Sequence, residues 1–478
     1  MRRRTFLKTG LAATLPLFNV GARTLPVTAR KIRLAILGAG ARGRALVPNL
    51  CHEDIVAFCD PDPSCHGSMR QQLARFYPGR DMTKVSGFST YDELLEKMGS
   101  DVDAVVVTLP NHHHARAGLM AMARGLHVYM EKPMALTIEE MRLLRASARR
   151  NYVVTQVGTQ CQSAEGTRRL VEYVQAGAIG QIHEVWSFSD RLNAMFSRPP
   201  AAPPPKGMDW DAWCGPAPVT DYYAPDENLL GNRLGMHPHD WHDWIGYGNG
   251  VLGNIGTHIV NPAYWALRLG EARPVSVEAK VARWGAPGSF PWQTVVEWTY
   301  PARNGLDPVT IHWYDGIREG VTPDKLHLGR YGECLKRDYQ NLPPVVEELE
   351  KKYGQDLGAL GSVLIGDKGV MSIGLHGGAL QFVPNNLQKA VGKVPMTLPR
   401  RKGMDHQKEF LRAIREPDVP ANCNFDYAEP FAEMIELANL AARAGLKRLD
   451  WDGTRFTNDE AANALLKTTC RKEWELPT

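Results

Sequence analysis

The first third of the sequence predicts an α/β fold built on a doubly wound parallel sheet. Short aliphatic runs alternate with stretches of helical character from residue 31 to residue 157. This alternation is typical of parallel strands with helices on both faces. A glycine-rich turn, GAGARG, joins the first strand to the first helix. In such folds the ligand lies at the carboxyl ends of the strands, beside that turn.

The elements follow one another in a regular order. The strand IRLAIL precedes the glycine turn, a helix that Pro48 should shorten or kink, and the strand IVAFC. Further along come the buried strand VDAVVVTL, the helix HHHARAGLMAMARG and the strand LHVYM. Thr137 and Glu140 predict a capping box for a helix that runs to Arg150. Residues 152–157 then close the sheet.

Each glycine of the turn has a physical role in holding a dinucleotide. Gly38 permits the tight turn, Gly40 lets the backbone approach a pyrophosphate, and Gly43 lets the helix lie close to the strand. Asp60, at the end of the second strand, can accept hydrogen bonds from a ribose and would repel a 2′-phosphate. The pattern therefore predicts NAD as the cofactor, with NADP less favoured.

Charge and cysteine spacing exclude several classes of protein. The net charge is +4, but the first 30 residues carry six basic and no acidic side chains, which leaves −2 for the remainder. A nearly neutral body gives no reason to expect nucleic acid or an anionic membrane as a partner. The eight cysteines are scattered without a C-x-x-C pair, which argues against a zinc module. We expect no essential disulfide.

The opening stretch, MRRRTFLKTG, is typical of a twin-arginine export signal. The weakly apolar segment that follows, residues 11–20, is too short to span a bilayer. We therefore expect residues 1–30 to be a signal peptide and the protein to be periplasmic, with no stable membrane insertion after export. The alternative is a basic, disordered N-terminus that resembles a signal by chance.

At the motif EKP, residues 131–133, the chain resembles the Gfo/Idh/MocA family of glucose–fructose oxidoreductases and inositol dehydrogenases. The GAGARG turn, the loop PNHHH and a histidine-bearing segment in the second half also match. Three stretches resemble the twin-arginine-exported subset of that family: residues 209–218, 248–267 and 424–452.

This resemblance implies a two-domain architecture. Residues 31–157 would form the NAD-binding Rossmann domain. Residues 158–478 would form a C-terminal α+β domain with an open, mostly antiparallel sheet, for substrate binding and oligomerisation. A small carbohydrate substrate and a homo-oligomer, dimer or tetramer, are also implied.

Three residues are the predicted catalytic group. Lys132 follows a parallel strand, and Pro133 keeps its backbone extended, so its ammonium can stabilise a developing alkoxide. Asn254 and His258 would share one face of a helix. His258 titrates near neutral pH and suits removal of a proton from a sugar hydroxyl. Because the family often has aspartate where Asn254 stands, the role of base falls to His258, alone or with Lys132.

The resemblance also places residues beside the nicotinamide. Asn111 and His114 are expected there, with His112 and His113 as polar surface. The predicted cofactor contacts are Gly38, Gly40, Ala41, Arg42, Gly43, Asp60, Asn111, His114, Glu131, Lys132 and Gln160.

The candidate substrate contacts are Arg191, His239 and His242. The last two lie in HPHDWHDW, whose histidines could also ligate a metal with Asp240 or Asp243. Trp241 and Trp244 favour a carbohydrate-stacking pocket instead. No metal site is predicted.

Three functions remain open from the sequence. The preferred one is an exported NAD-dependent oxidoreductase of a sugar or glycoside hydroxyl, with the cofactor tightly bound because the periplasm holds little free dinucleotide. The alternative is an NAD-dependent glycoside hydrolase or lyase that uses transient oxidation at C3 and elimination. The third is a non-catalytic sugar-binding scaffold, against which the presence of Lys132 and His258 speaks.

Overall fold

The computed structural model describes residues 30–226, 228–229, 232, 234–322, 326, 334–400 and 405–477. All but the last residue of the predicted signal peptide, residues 1–30, lies outside the described residues, so the signal stays a prediction. Within the described ranges, the scaffold is a six-stranded sheet and an eight-stranded sheet. No helix in these ranges is long and apolar enough to cross a membrane.

The first sheet is parallel, as predicted. Its strands are β1 (Arg33–Leu37), β2 (Asp54–Cys59), β3 (Ser86–Phe88), β4 (Ala104–Val107), β5 (His127–Met130) and β6 (Thr155–Val157). The helices between them are α1 (Ala41–Leu50), α2 (Pro63–Phe76), α3 (Tyr91–Met98), α4 (His114–Met122) and α5 (Ile138–Arg150). The strand order is β3-β2-β1-β4-β5-β6, which reverses between β1 and β4. A ligand crevice is expected at that switch point.

Two local features of this half of the protein agree with the sequence-based predictions. Pro48 lies inside α1, and the helix ends two residues later. The capping box is confirmed: the Thr137 side chain accepts a hydrogen bond from the N–H of Glu140, and the Glu140 carboxylate accepts one from the N–H of Thr137. The predicted helix HHHARAGLMAMARG differs in its start, because residues Asn111–His113 form a 3₁₀ turn before α4.

The second sheet is mixed and mostly antiparallel, as the resemblance implied. Its strands are β7 (Ile182–Phe188), β8 (Ser276–Arg283), β9 (Gln293–Tyr300), β10 (Val309–Gly316), β11 (Gly361–Gly366), β12 (Gly369–Gly374), β13 (Gln381–Val383) and β14 (Arg448–Asp450). Their order is β13-β12-β11-β7-β10-β9-β8-β14, and the pair β7–β10 is parallel. The accompanying helices are α6 (Glu165–Gln175), α7 (Trp210–Cys214), α8 (Thr257–Ala266), α9 (Pro344–Tyr353), α10 (Leu387–Val391), α11 (His406–Arg415), α12 (Phe425–Ala444) and α13 (Glu460–Asn463).

Helix α12 packs against both sheets. Its first part, including Phe425, belongs to the hydrophobic core of the first sheet, and its later part, including Met434, belongs to that of the second. Arg145 of α5 donates to the buried carboxylate of Glu429 at 2.7 Å. The predicted boundary after residue 157 coincides with the end of β6, but α11 and α12 return to the first sheet. The domain division itself stays a prediction.

Candidate active site

The glycine turn between β1 and α1 has the geometry of a phosphate cradle. Gly38 has a φ of +100°, and a Cβ atom there would lie 2.8 Å from the backbone carbonyl of Thr108. A Cβ at Gly43 would lie 2.1 Å from the carbonyl oxygen of Gly38. At Gly40 no described atom lies within 4 Å of the position of an added Cβ atom. The predicted tight turn and close packing are confirmed, and Gly40 leaves open the space that a phosphate needs.

Asp60 faces this turn from the end of β2. Its carboxylate accepts hydrogen bonds from the N–H groups of Ala39 at 2.9 Å and Asp62 at 3.0 Å, and burial raises the pKa of Asp60. A cleft of about 220 Å³ opens beside it, which we call the cofactor cleft. The turn residues that line it are Gly38, Gly40, Ala41 and Arg42. These groups fit a dinucleotide, because they offer a backbone cradle for the pyrophosphate and a fixed acceptor for the ribose.

Residues distant in sequence form the other side of the cofactor cleft. We call this side the outer wall: it comprises Trp213, residues 237–239, Trp241, His242 and Trp474. His239 and His242 therefore lie across from the glycine turn. The His242 ring stacks on that of Trp241, with 3.7 Å between the ring centroids. This position favours a role on the cofactor side of the site over the predicted substrate contact.

The prediction that His112 and His113 are polar surface is wrong. Both side chains are buried, and each donates from Nε2 to the carbonyl oxygen of Trp213, at 2.9 and 2.8 Å. Burial lowers the pKa of His112 to about 4 and that of His113 well below its usual range. The physical reason is the segment around α7, which covers the 3₁₀ turn and supplies a shared acceptor.

Lys132 and Asn254, both of the predicted catalytic group, are in direct contact. The Lys132 ammonium donates to the backbone oxygen of Asn254 at 2.8 Å and to its Oδ1 at 2.7 Å. The chain of hydrogen bonds continues: Nδ2 of Asn254 donates to Oδ1 of Asn193 at 3.2 Å, and Nδ2 of Asn193 donates to Oδ1 of Asp243 at 3.1 Å. This directed network fixes the position of the ammonium.

The helix that carries Asn254 and His258 is less regular than predicted. Residues Leu252–Gly256 form a π-helical turn before α8 begins at Thr257. Such a turn departs from the usual i→i−4 bonding and is frequent at functional sites. Here the backbone oxygen of Asn254 accepts from Lys132. The sequence pattern alone contains no signal for this irregularity.

His258 is buried, with 3% of its surface exposed. Burial lowers its pKa well below the usual range, and the charge of Lys132 lowers it further. The imidazole is therefore neutral at neutral pH and can accept a proton. Its Nδ1 atom has no hydrogen-bond partner among the described residues. Neutrality and an available nitrogen are the two properties that the predicted base requires.

A second histidine, His376, was missed by the sequence analysis. Its ring centroid lies 4.2 Å from that of His258, and its backbone is left-handed, with a φ of 55°. Strained backbone of this kind is frequent at functional sites. Burial lowers the pKa of His376, as do the charges of Lys132, Arg42 and Arg191. Arg191, a predicted substrate contact, thus lies within electrostatic reach of the histidine pair. The only sequence signal was a histidine in a glycine-rich turn after a strand.

Two of the predicted cofactor residues, Arg42 and Gln160, bind the carboxylate of a third, Glu131. Glu131 is buried, and its Oε1 accepts from Arg42 at 2.7 Å, from Gln160 at 3.2 Å and from the Tyr129 hydroxyl at 3.3 Å. Arg42 also lines the cofactor cleft. The structure therefore brings Arg42, Glu131 and Gln160 together beside Lys132, at the end of β5.

His114 lies behind the cofactor-binding loops. It is 0% exposed, and its ring nitrogens lie 2.9 Å from the carbonyl oxygens of Pro133 and Leu109. This placement corrects the prediction of a direct cofactor contact, since both nitrogens face backbone. His114 instead holds the loop that follows Lys132.

Asn111 is held by a buried polar network. Its Nδ2 donates to Oδ1 of Asn249 at 3.0 Å, and Nδ2 of Asn249 donates to Oε2 of Glu436 at 2.9 Å. Nδ2 of Asn439 donates to the same carboxylate oxygen at 2.9 Å. Burial raises the pKa of Glu436 to about 7. The network joins the loop after β4 to helix α12.

The side chains of metal-ligating type that cluster in the structure are not the set considered from the segment HPHDWHDW. Donor atoms of Asp62, Cys65 and His237 lie within 4.8 Å of one another. Nε2 of His237 lies 3.2 Å from Oδ2 of Asp62, a hydrogen bond that joins the start of α2 to the outer wall. The described cysteines, Cys51, Cys59, Cys65, Cys161, Cys214, Cys334, Cys423 and Cys470, are all free.

The parallel sheet, the glycine turn and Asp60 together define a dinucleotide-binding fold. Residues 32–159 match the Gfo/Idh/MocA family, described as an oxidoreductase family with an NAD-binding Rossmann fold. Over these residues the match bears out the resemblance and NAD as the cofactor. The match does not extend to the twin-arginine subset.

Two curated relatives are named glycosyl hydrolase family 109 protein. The protein from Shewanella pealeana is 26% identical over 208 residues, which cover 38% of this chain and 44% of that protein. The protein from Stenotrophomonas maltophilia is 30% identical over 151 residues, which cover 29% of this chain and 31% of that protein. The matches therefore span less than half the length of these relatives.

Solved structures resemble nearly the whole fold. The WlbA dehydrogenase from Bordetella pertussis, in complex with NADH and UDP-GlcNAcA, has 15% identity and a TM-score of 0.56, over 88% of this chain and 99% of that one. The aldose-aldose oxidoreductase from Caulobacter crescentus, complexed with glycerol, has 17% identity and a TM-score of 0.55. This likeness covers 88% of this chain and 100% of that one. At these identities the likeness establishes the fold.

Proposed function

We propose that this protein is an exported NAD-dependent oxidoreductase that acts on a hydroxyl of a sugar or glycoside and keeps its cofactor tightly bound. The observation that carries the proposal is the hydrogen bonding of Lys132, which follows β5, to Asn254, four residues before His258, whose pKa the charge of Lys132 lowers. Carbohydrate as substrate is supported by the sugar-related ligands and names of the solved neighbours.

The chain's own residues have distinct tasks in this reaction. The backbone cradle from Gly38 to Gly43 and the carboxylate of Asp60 would hold NAD, which supplies the hydride acceptor. The ammonium of Lys132 binds the reacting hydroxyl oxygen and stabilises the negative charge that develops there. His258, neutral and buried, accepts the hydroxyl proton at a ring nitrogen. Asn254 accepts hydrogen bonds from Lys132 and so positions it.

Two features bear on location and assembly. Arg3 and Arg4 stand in a segment typical of twin-arginine export, which supports a periplasmic location. The outer face of the second sheet carries partly exposed aromatic side chains, with Trp186 and His312 stacked at 3.7 Å. Apolar surface of this kind supports a homo-oligomer, dimer or tetramer, formed through that face.

The second candidate is an NAD-dependent glycoside hydrolase or lyase. In this reaction, NAD would take hydride from C3, which acidifies the C2 proton; a base removes that proton, the C1–O bond breaks as C1=C2 forms, and the aglycone leaves with a proton. In the hydrolase, water then adds across C1=C2, whereas the lyase keeps the double bond; return of the hydride to C3 leaves no net NADH. The scheme needs a second base, and His376 faces His258 with its pKa also lowered. The names of the curated relatives favour it as well.

One experiment separates these functions. The protein is purified without added cofactor, and bound NAD is measured by absorbance and mass after denaturation. A chromogenic glycoside is then supplied alone, and a free sugar is supplied with a carbonyl acceptor. Aglycone release without net NADH supports the hydrolase, and turnover only with the acceptor supports the oxidoreductase. Bound NAD without either activity favours the sugar-binding scaffold, and a protein that binds no NAD refutes the proposal.

A further inference from the structure

We infer that the C-terminal tail, residues 468–476, is a cofactor-binding element that controls how fast NAD leaves the cleft. The inference rests on the proposed function, because it takes NAD to be held in the cofactor cleft. It concerns residues that follow the second sheet in sequence and yet reach the first, where Trp474 lines the cleft beside the glycine turn.

The tail is held against the protein at two points before it reaches the cleft. The N–H of Thr468 donates to Oε2 of Glu139, near the start of α5, at 2.8 Å. The Arg471 guanidinium donates from Nε to the carbonyl oxygen of Gly215 at 2.8 Å, and from Nη1 to Oδ1 of Asp211 at 2.5 Å. The N–H of Arg471 donates to the carbonyl oxygen of Pro216 at 3.1 Å. The tail therefore follows a defined path.

The side chain of Trp474 forms part of the wall of the cofactor cleft. Its ring centroid lies 6.2 Å from that of Tyr91 and 5.9 Å from that of His113, in edge-to-face contacts. The Arg116 guanidinium lies 5.1 Å from its centroid. Tyr91 and His113 also line the cleft, so the indole completes an aromatic surface on the cofactor side. Aromatic rings that enclose a ligand provide much of its binding energy.

The attachment of the tail differs from that of the rest of the outer wall. Trp213 is buried in its own hydrophobic cluster, and His237 is bonded to Asp62 of the first domain. The tail, in contrast, is held by Arg471, whose partner Asp211 is mostly exposed, by Thr468, and by the packing of Trp474 and Leu476 at the edge of the first sheet's core. Surface ion pairs contribute little to stability. Residues 468–476 hold no strand of either sheet, so their release can open the cleft while both sheets stay intact.

The test is an exchange measurement that needs no substrate. Protein carrying its own NAD is mixed with excess isotope-labelled NAD, and replacement is followed by mass spectrometry of the extracted cofactor. Trp474→Ala should exchange about tenfold faster than the wild type, since it removes an aromatic wall worth at least a tenfold change in binding. Trp474→Phe should recover most of the slow exchange. Lys472→Ala, at an exposed tail position, is the matched control.

Arg471→Ala keeps the indole and loosens its anchor, so it should also exchange faster than Lys472→Ala. Thermal unfolding of each variant verifies that the fold is retained, and Arg471→Ala serves if Trp474→Ala does not fold. The inference is overturned if the wild type retains NAD and the folded tail variants exchange it as slowly as Lys472→Ala does. Wild type that holds no NAD would instead refute the proposed function on which the inference rests.

Discussion

Glu436→Gln is expected to stabilise the protein at alkaline pH. The Glu436 carboxylate accepts hydrogen bonds from Asn249 and Asn439, and its burial raises its pKa from 4.5 to about 7. An acid whose folded pKa is raised favours the folded state below the unfolded pKa and loses that contribution as pH rises through the folded pKa. The difference corresponds to about 3 kcal/mol of unfolding free energy, lost between about pH 4.5 and pH 7.

Glutamine cannot ionise, yet its carbonyl oxygen can accept from both asparagines. The variant should therefore match the wild type near pH 4 and exceed it by up to about 3 kcal/mol at pH 8. Urea unfolding at the two pH values measures this, and Glu348→Gln, an exposed acid of α9, controls for the change in charge. NAD content should stay unchanged, because Asn249 still holds Asn111. An equal effect at both pH values would refute the reasoning, as would destabilisation at both.

Other predictions concern the cleft and the catalytic group. Gly43→Ala should lower the unfolding free energy by about 3 kcal/mol, since its Cβ would meet the Gly38 carbonyl oxygen at 2.1 Å. At Gly40 no described atom lies within 4 Å of an added Cβ atom. Gly40→Ala should therefore keep its thermal stability and bind NAD more weakly in calorimetric titration. Lys132→Met should keep NAD, lower kcat about 10²–10³-fold and raise the pKa of His258 in NMR titration; an unchanged kcat would contradict its role. Asp60→Ser should raise the affinity for NADP relative to NAD, measured by competition, and an unaltered ratio would oppose the ribose contact.

The parallel sheet and its cradle could be predicted because local residues specify them. Gly38 and Gly43 are required by contacts with neighbouring elements, and Thr137 caps α5 through residues three positions away. Lys132 could be placed as well, because the carboxyl end of a buried strand has a known relation to the ligand. In each case the sequence signal is local, because a few neighbouring residues carry it, even where the contact that requires the residue comes from a distant segment.

The rest of the site depends on contacts between distant segments. His112 and His113 have the composition of a polar turn, and their burial depends on distant partners, including the carbonyl oxygen of Trp213. His376 reaches His258 through a left-handed turn that no periodicity indicates. Trp474 stands near the chain end, where sequence gives no information on which surface it will contact. Such pairings arise from the tertiary fold.

Helix α12 contributes side chains to both hydrophobic cores, and Glu429 and Glu433 bind arginines of α5. A large hinge rotation between the halves would expose apolar surface and separate buried charges, so it is strongly disfavoured. Under the proposed function, a substrate would then have to reach Lys132 and His258 without a large movement of the two sheets relative to each other. A fragment truncated after β6 would also lack α12, and it should aggregate when produced alone.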